Sequence, residues 1–276
     1  MSHHTKTLDG NYRGIAPIST IPRNEKIEVR RGNQPDYLEC FSIYGERGRH
    51  AAFTPADGIV DLAPFDLTRL TTAETMDVVS TDGNDDAVGT GARTVFIKGV
   101  NGDYNEVTEY VQLDGLTPVT TSESYLVIHQ AIVLSCGSNG SNIGTINITA
   151  STAATTQAQI YPGIGITEQA WYLVPQDRAL YIIGSNYYAD RDPGGDTAVT
   201  FTLGTHSNVL EGSGLPEGET YVEGFRTIVD SGSSGAVEKS DIIARFGPKT
   251  FIINTVETQN NDTVARASYL CYLCKS

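Results

Sequence analysis

The chain has 276 residues, of which 39% are apolar, with 28 glycines and a formal charge of −14. A globule of this size buries roughly 70 to 75% of its unfolded surface, so no disulfide framework is required, and the turn-rich composition favours strands over helices. The negative charge argues against nucleic acid as a main partner, because phosphate binding needs a clustered surplus of Lys and Arg.

Residues 1–34 depart from that balance, with Lys6, Arg13, Arg23, Lys26, Arg30 and Arg31 set against Asp9, Glu25 and Glu28. Pro17, Pro22 and Pro35 interrupt any regular period. The segment reads as an extended basic arm in front of a body spanning 35–276. Arg23, Lys26, Arg30 and Arg31 are its candidate partner-binding residues, suited to an acidic neighbour. The opening Met1 to Lys6 lacks the apolar stretch of a signal peptide, and no window approaches 18 apolar residues. The chain is therefore expected to be made in a cytoplasm and to have no membrane partner. Its four cysteines, Cys40, Cys136, Cys271 and Cys274, are then expected as free thiols.

In chain order, residues 37–44 are rich in β-formers and predict a strand that Gly45 ends. Residues 63–70 predict a helical turn, and Thr71 followed by Glu74 has capping-box spacing. Strand signals then recur every 8 to 12 residues or so, at 94–98, 106–114, 124–135, 145–149, 170–174, 179–184, 198–203, 221–229, 250–255 and 266–274. The Gly- and Asn-rich run 137–142 reads as a hairpin loop, and 259–262 as the turn of a closing hairpin. The Gly-, Pro- and Asp-rich stretch 184–218 reads as exposed loops. The fold class is all-β: a jelly-roll-like β-sandwich with an extended N-terminal arm. The alternative is two β modules divided near 115–124 or 184–197.

Each candidate site has a structural competitor. Asp82, Asp85 and Asp86 in one turn, and Asp190, Asp192 and Asp196 in another, offer the oxygen ligands calcium takes, yet lack EF-hand spacing, so a solvated turn is the simpler reading of each. Cys271 and Cys274 have the spacing of half a zinc site, which Cys40, Cys136, His50 or His129 would have to complete. In a strand, however, the pair points to opposite faces, so packing is the simpler reading and no cofactor is expected. No nucleophile elbow or phosphate loop is present, and the run 231–235 reads as a flexible linker. A carboxylate pair for glycan cleavage stays open only because acids distant in sequence can meet in space. Trp171, Tyr172, Tyr187 and Tyr188 form a candidate glycan platform, in competition with ordinary core or interface packing.

One stretch carries a likeness. The strings Val78-Val79-Ser80-Thr81-Asp82-Gly83-Asn84-Asp85-Asp86 and Gly89-Thr90-Gly91-Ala92-Arg93-Thr94-Val95-Phe96-Ile97, with Asn105-Glu106-Val107-Thr108-Glu109, Val111-Gln112-Leu113-Asp114-Gly115 and Gly137-Ser138-Asn139-Gly140, resemble a segment of virion structural proteins of marine tailed bacteriophages. Similar copies occur in large algal viruses. The resemblance covers about 70 of the 276 residues and brings no catalytic or ligand residues with it. It implies a β-rich building block, non-enzymatic and present in symmetric copies, with other virion proteins as partners. Capsid decoration is the first placement. A tail adaptor, tail fibre or receptor-binding component is the second, and a virion-associated glycan hydrolase the third. Read from the residues alone, Gly89 and Gly91 permit a close backbone approach, and Arg93 is expected to pair with an Asp of the 82–86 turn.

Overall fold

The computed structural model describes residues 4–6, 12–14, 37–191, 197–207, 221–231, 234–239 and 244–275. A short hairpin pairs β1 (His4–Lys6) with β2 (Tyr12–Gly14). There follow β3 (Tyr37–Arg47), β4 (Val60–Asp61), β5 (Glu74–Ser80), β6 (Ala92–Val100), β7 (Glu106–Gln112), β8 (Val119–Tyr125), β9 (Val127–Cys136), β10 (Ile146–Ala150) and β11 (Thr156–Ile160). The chain continues through β12 (Trp171–Leu173), β13 (Arg178–Arg191), β14 (Thr197–Ser207), β15 (Tyr221–Ser231), β16 (Ser234–Lys239), β17 (Ala244–Phe246), β18 (Thr250–Thr258) and β19 (Thr263–Lys275). The fold is all-β. Among the described residues the sole helical element is the 3-10 turn Pro55–Asp57.

Two antiparallel sheets, β16-β13-β19-β3 and β12-β18-β14-β15, form the outer body. The short β4 and β17 add a fifth strand to each sheet, pairing with β18 and β13; numbering the other eight along the chain, one sheet holds the sixth, third, eighth and first, and the other the second, seventh, fourth and fifth. That interleaving is the double Greek-key order of a jelly roll. The connection from β3 to β12 carries an insertion, whose strands make the sheets β11-β10-β5-β8 and β7-β6-β9. Apart from the β1-β2 hairpin, the four sheets of the described residues succeed one another as a propeller-like ring, so the single jelly-roll sandwich expected for 35–276 gives way to a body with two main cores.

The first core lies between the inserted sheets and is built from residues such as Met76, Val78, Val95, Ile97, Tyr125, Ile146 and Ile148. The second lies between the jelly-roll sheets, around Leu180, Ile182, Tyr187, Val199, Phe201, Val256 and Tyr269. Strand periodicity explains how the two cores share a wall. Along β12 and its continuation, Trp171 and Leu173 enter the first core, while Tyr172 and Val174 enter the second. On the neighbouring β18, Phe251 and Ile253 face the first core and Ile252 the second. Both stretches read as unbroken apolar runs because both faces are covered. The chain leaves the second core after Leu62 and re-enters it at Ala170. Of the positions named as division points, residues 115–118 precede β8 and 119–124 lie within it, while 184–191 lie within β13. Turn-forming residues mark reversals of the chain, which need not be module boundaries.

Several local expectations are corrected by the same geometry. β3 passes through Gly45 because the glycine marks a close approach and not a stop: a Cβ there would lie 2.2 Å from the Leu62 carbonyl oxygen and 2.6 Å from the Ala170 Cβ. The predicted strand 124–135 is split at Leu126, between β8 and β9. Residues 63–70 form an irregular loop instead of a helical turn, and Glu74 opens β5, with its carboxylate accepting the N–H groups of Thr152 and Ala153 at 2.8 and 2.9 Å. The 137–142 and 259–262 loops do not close hairpins. β9 and β10 belong to different sheets, as do β18 and β19, so both loops are arches across a core. Gly184 to Arg191 is strand and not loop, because a register shift between Ile182 and Gly184 absorbs the glycine.

The loop after β4 carries a charge out of its usual range. The half-buried Asp61 accepts the Leu67 N–H at 2.8 Å, and burial pushes its carboxyl up to about 6. The folded state therefore binds this proton more tightly than the unfolded chain, and the penalty for ionising it is complete above pH 6 and absent below about 4. Asp61→Asn is expected to stabilise the protein at pH 8 by about 1 kcal/mol after allowance for solvent screening, with the gain fading as pH falls from 6 to about 4. Urea unfolding at a series of pH values checks this; a gain that persists at pH 4 would refute it.

Candidate functional site

The likeness-bearing segment folds around Asp85. Its carboxylate is fully buried and accepts four hydrogen bonds: Ser80 Oγ at 2.6 Å, and the backbone N–H groups of Ala92 at 2.7, Ile143 at 2.9 and Gly144 at 2.8 Å. Glycine is required where the backbone closes on this group, since a Cβ on Gly91 would lie 2.0 Å from Asp85 Oδ1 and one on Gly144 2.6 Å from Ser80 Oγ. Asp85 thus joins the start of β6 to the approach to β10, two sheets of the inserted module. Arg93 does not pair with an acid of the turn. Its Nε donates to the Gly89 carbonyl at 3.1 Å.

The calcium candidates have the following contacts. Asp85 has no spare lone pair for an ion. Asp82 accepts from the Asn84 backbone and side chain, both at 2.8 Å, which holds its carboxyl below the usual range, and Asp86 accepts the Val88 N–H at 2.7 Å. Asp190 accepts from Tyr188 Oη at 3.2 Å, while Asp192 and Asp196 lie outside the described residues. Among the described residues no three His, Cys, Asp or Glu side chains group to hold a metal, so Cys271, Cys274, Cys40, Cys136, His50 and His129 do not assemble a zinc site. The arm residues Arg23, Lys26, Arg30 and Arg31 also lie outside the described residues.

The aromatic platform is not a surface. Trp171, Tyr172 and Tyr187 are 1–2% exposed, and Tyr187 packs against Phe201 and Tyr269 with ring centroids 5.2 and 5.8 Å away. Tyr188, half-buried, lies under the Arg266 guanidinium at 5.4 Å. Strand alternation sends the large rings inward, where each stabilises the fold through apolar burial.

Two acids distant in sequence do meet. Glu46 accepts from Tyr44 Oη at 2.6 Å and Arg266 at 3.0 Å, and Glu168 contacts His50 Nε2 at 2.7 Å and Arg49 at 3.5 Å. Burial pushes the Glu168 carboxyl up. Glu46, which burial alone would also raise, is held below its usual range by hydrogen bonds from Arg266 and Tyr44. Both side chains are nearly fully buried with their oxygens engaged, so the cluster ties β3 to β19 and to the strap at residue 168 and presents no face to a glycosidic bond.

A cavity of about 360 Å3 lies where the insertion meets the jelly roll, between β3, β6, β9 and residues 166–172. Strand β9 reaches it as Val127-Ile128-His129, and the polar residue in that apolar run is the sequence signal for the site. His129 Nε2 accepts the Leu173 N–H at 3.1 Å, Gln169 Nε2 donates to the Ile128 carbonyl at 2.9 Å, and Trp171 Nε1 donates to the same oxygen at 3.0 Å. The His129 ring stacks on Tyr172 at 3.8 Å, and Phe41 packs 5.1 Å from Tyr172. Complete burial, helped by Lys98, lowers His129 to about 3, so the ring is neutral. Lys98 is held by Glu39 at 2.6 Å and Glu106 at 3.1 Å and lies over the Phe41 ring. Trp171 and Tyr172, two of the four platform candidates, line this cavity from inside the wall, while His129, Gln169 and Lys98 enter as residues with no recognisable motif.

No family model, no curated protein and no solved structure matches this chain.

Proposed function

We propose that the protein is a non-enzymatic structural component of a tailed-phage particle, in which the all-β body assembles as a symmetric homo-oligomer and docks on other virion proteins. Capsid-surface decoration is the preferred placement. The observation that carries this reading is the pairing of an eight-stranded jelly-roll order with an inserted module built around the likeness-bearing segment. The chemistry of that segment supports it: a buried carboxylate and close-packed glycines hold backbone to backbone, which is scaffold work. Repeated modest interfaces, summed over many copies, would then supply the binding strength.

A tail adaptor, fibre or receptor-binding component is the second reading, favoured by the cavity between the two modules and its polar lining. Copy number in purified particles separates the two. Decoration predicts a count comparable with that of the major capsid protein, and a tail component a few dozen or fewer.

A further inference from the structure

We propose that Asn139 is a site of spontaneous covalent modification, at which the side chain closes on the Gly140 nitrogen, releases ammonia and opens with water to aspartate or isoaspartate. The chain holds two Asn-Gly pairs, Asn101-Gly102 and Asn139-Gly140, and the fold treats them differently. Glycine permits the close approach in both, because no Cβ shields its nitrogen.

At Asn101 the carboxamide is locked. Its Oδ1 accepts the N–H groups of Asp103 and Asn105, both at 3.0 Å. The main chain around it is pinned as well: the Asn101 N–H donates to the Asn105 carbonyl and the Tyr104 N–H to the Asn101 carbonyl, again at 3.0 Å. Turning the Asn101 Cγ toward the Gly102 nitrogen breaks both side-chain bonds.

At Asn139 the carboxamide is exposed, in the arch after β9, and it makes no hydrogen bond among the described residues. A Cβ on Gly140 would meet nothing within 4 Å, so the approach to its nitrogen is open. What opposes ring closure is one bond, from the Gly140 N–H to the Gly137 carbonyl at 3.2 Å. Asn101 has one bond more to break, and its bonds are shorter, which converts to a rate about tenfold lower.

The step balances without an enzyme or an oxidant. The Gly140 nitrogen bonds to Asn139 Cγ, the bond from Cγ to the amide nitrogen breaks, and ammonia leaves with the proton that Gly140 gives up. Water then cleaves either of the two ring bonds to that glycine nitrogen. Both products carry a new negative charge, and isoaspartate also lengthens the main chain by a carbon. The change falls where the Asn139 N–H is held on the Thr90 carbonyl at 2.8 Å and the Gly137 N–H on the Gly91 carbonyl at 2.7 Å, so it loads the contact of the arch with the approach to β6.

The test incubates the purified full chain at pH 8 and 37 °C, with a parallel sample unfolded in concentrated guanidinium. Peptide mapping by mass spectrometry reads the exchange of NH for O at each site over time, and electron-transfer fragmentation separates aspartate from isoaspartate. In the folded chain Asn139 is expected to convert about tenfold faster than Asn101, and in the unfolded chain the two are expected to convert at comparable rates. No conversion at Asn139, or equal conversion of the two sites in the folded chain, overturns the proposal. So does a difference of the same size in guanidinium, which would trace the effect to neighbours in sequence and not to the fold. Placement in a particle has no part in the outcome, because the purified protein is what is incubated.

Discussion

Asp85→Ala is expected to lower stability by about 4 kcal/mol. The substitution strands the hydroxyl of Ser80 and the backbone N–H groups of Ala92, Ile143 and Gly144 in a site without solvent access. Such donors cost more unpaired than their bonds contribute when made. Native domains are stable by only about 5 to 15 kcal/mol, so the inserted module should approach unfolding. Asp85→Asn restores one acceptor oxygen but turns an NH2 group toward N–H donors, and is expected to lose about half as much. Urea denaturation of both variants checks the order. A loss below about 1 kcal/mol for the alanine variant would show that the turn is held by something other than this carboxylate.

Gly45→Ala is expected to cost about 3 kcal/mol, through overpacking. The added methyl would meet the Leu62 carbonyl oxygen at 2.2 Å and the Ala170 Cβ at 2.6 Å, both backed by main chain. Leu62 and Ala170 are the points where the chain leaves and re-enters the second core, and they are joined by an Ala170 N–H to Leu62 carbonyl bond of 3.0 Å. Forcing them apart should loosen the insertion from the jelly roll. Thermal unfolding is therefore expected to show a lower first transition, accompanied by faster proteolytic cleavage near residues 62–63. An unchanged midpoint would mean that the joint yields without loss.

Strand content was legible wherever alternation was clean. Ile146 and Ile148 in β10, and the alternating inward residues of β19, announce themselves by period two. β11 has a weak sequence signal because it sends only Ala158 and Ile160 into the core; Gln157, at the register shift beside them, is buried with its amide on the Thr68 carbonyl at 3.0 Å and Thr155 Oγ1 at 2.9 Å. The arches after β9 and β18 have the sequence of hairpin loops, because Gly and Asn loops look alike whether the partner strand lies beside or opposite. The two-core arrangement could not be read locally, since a run such as Trp171-Tyr172-Leu173-Val174 says that both faces are covered without saying by what. The cavity shows the same limit. Trp171 and Tyr172 were visible as aromatic candidates, but Gln169 and Lys98 gain meaning only once β3 and β9 are brought together.

The measurement that bears most directly on the proposed role is the copy number of this protein in purified particles, by quantitative mass spectrometry against the major capsid protein. The decoration reading predicts a count close to that of the capsid protein. A few dozen copies or fewer would contradict that placement and move the protein to the tail, and its absence from the particle would contradict the structural role altogether.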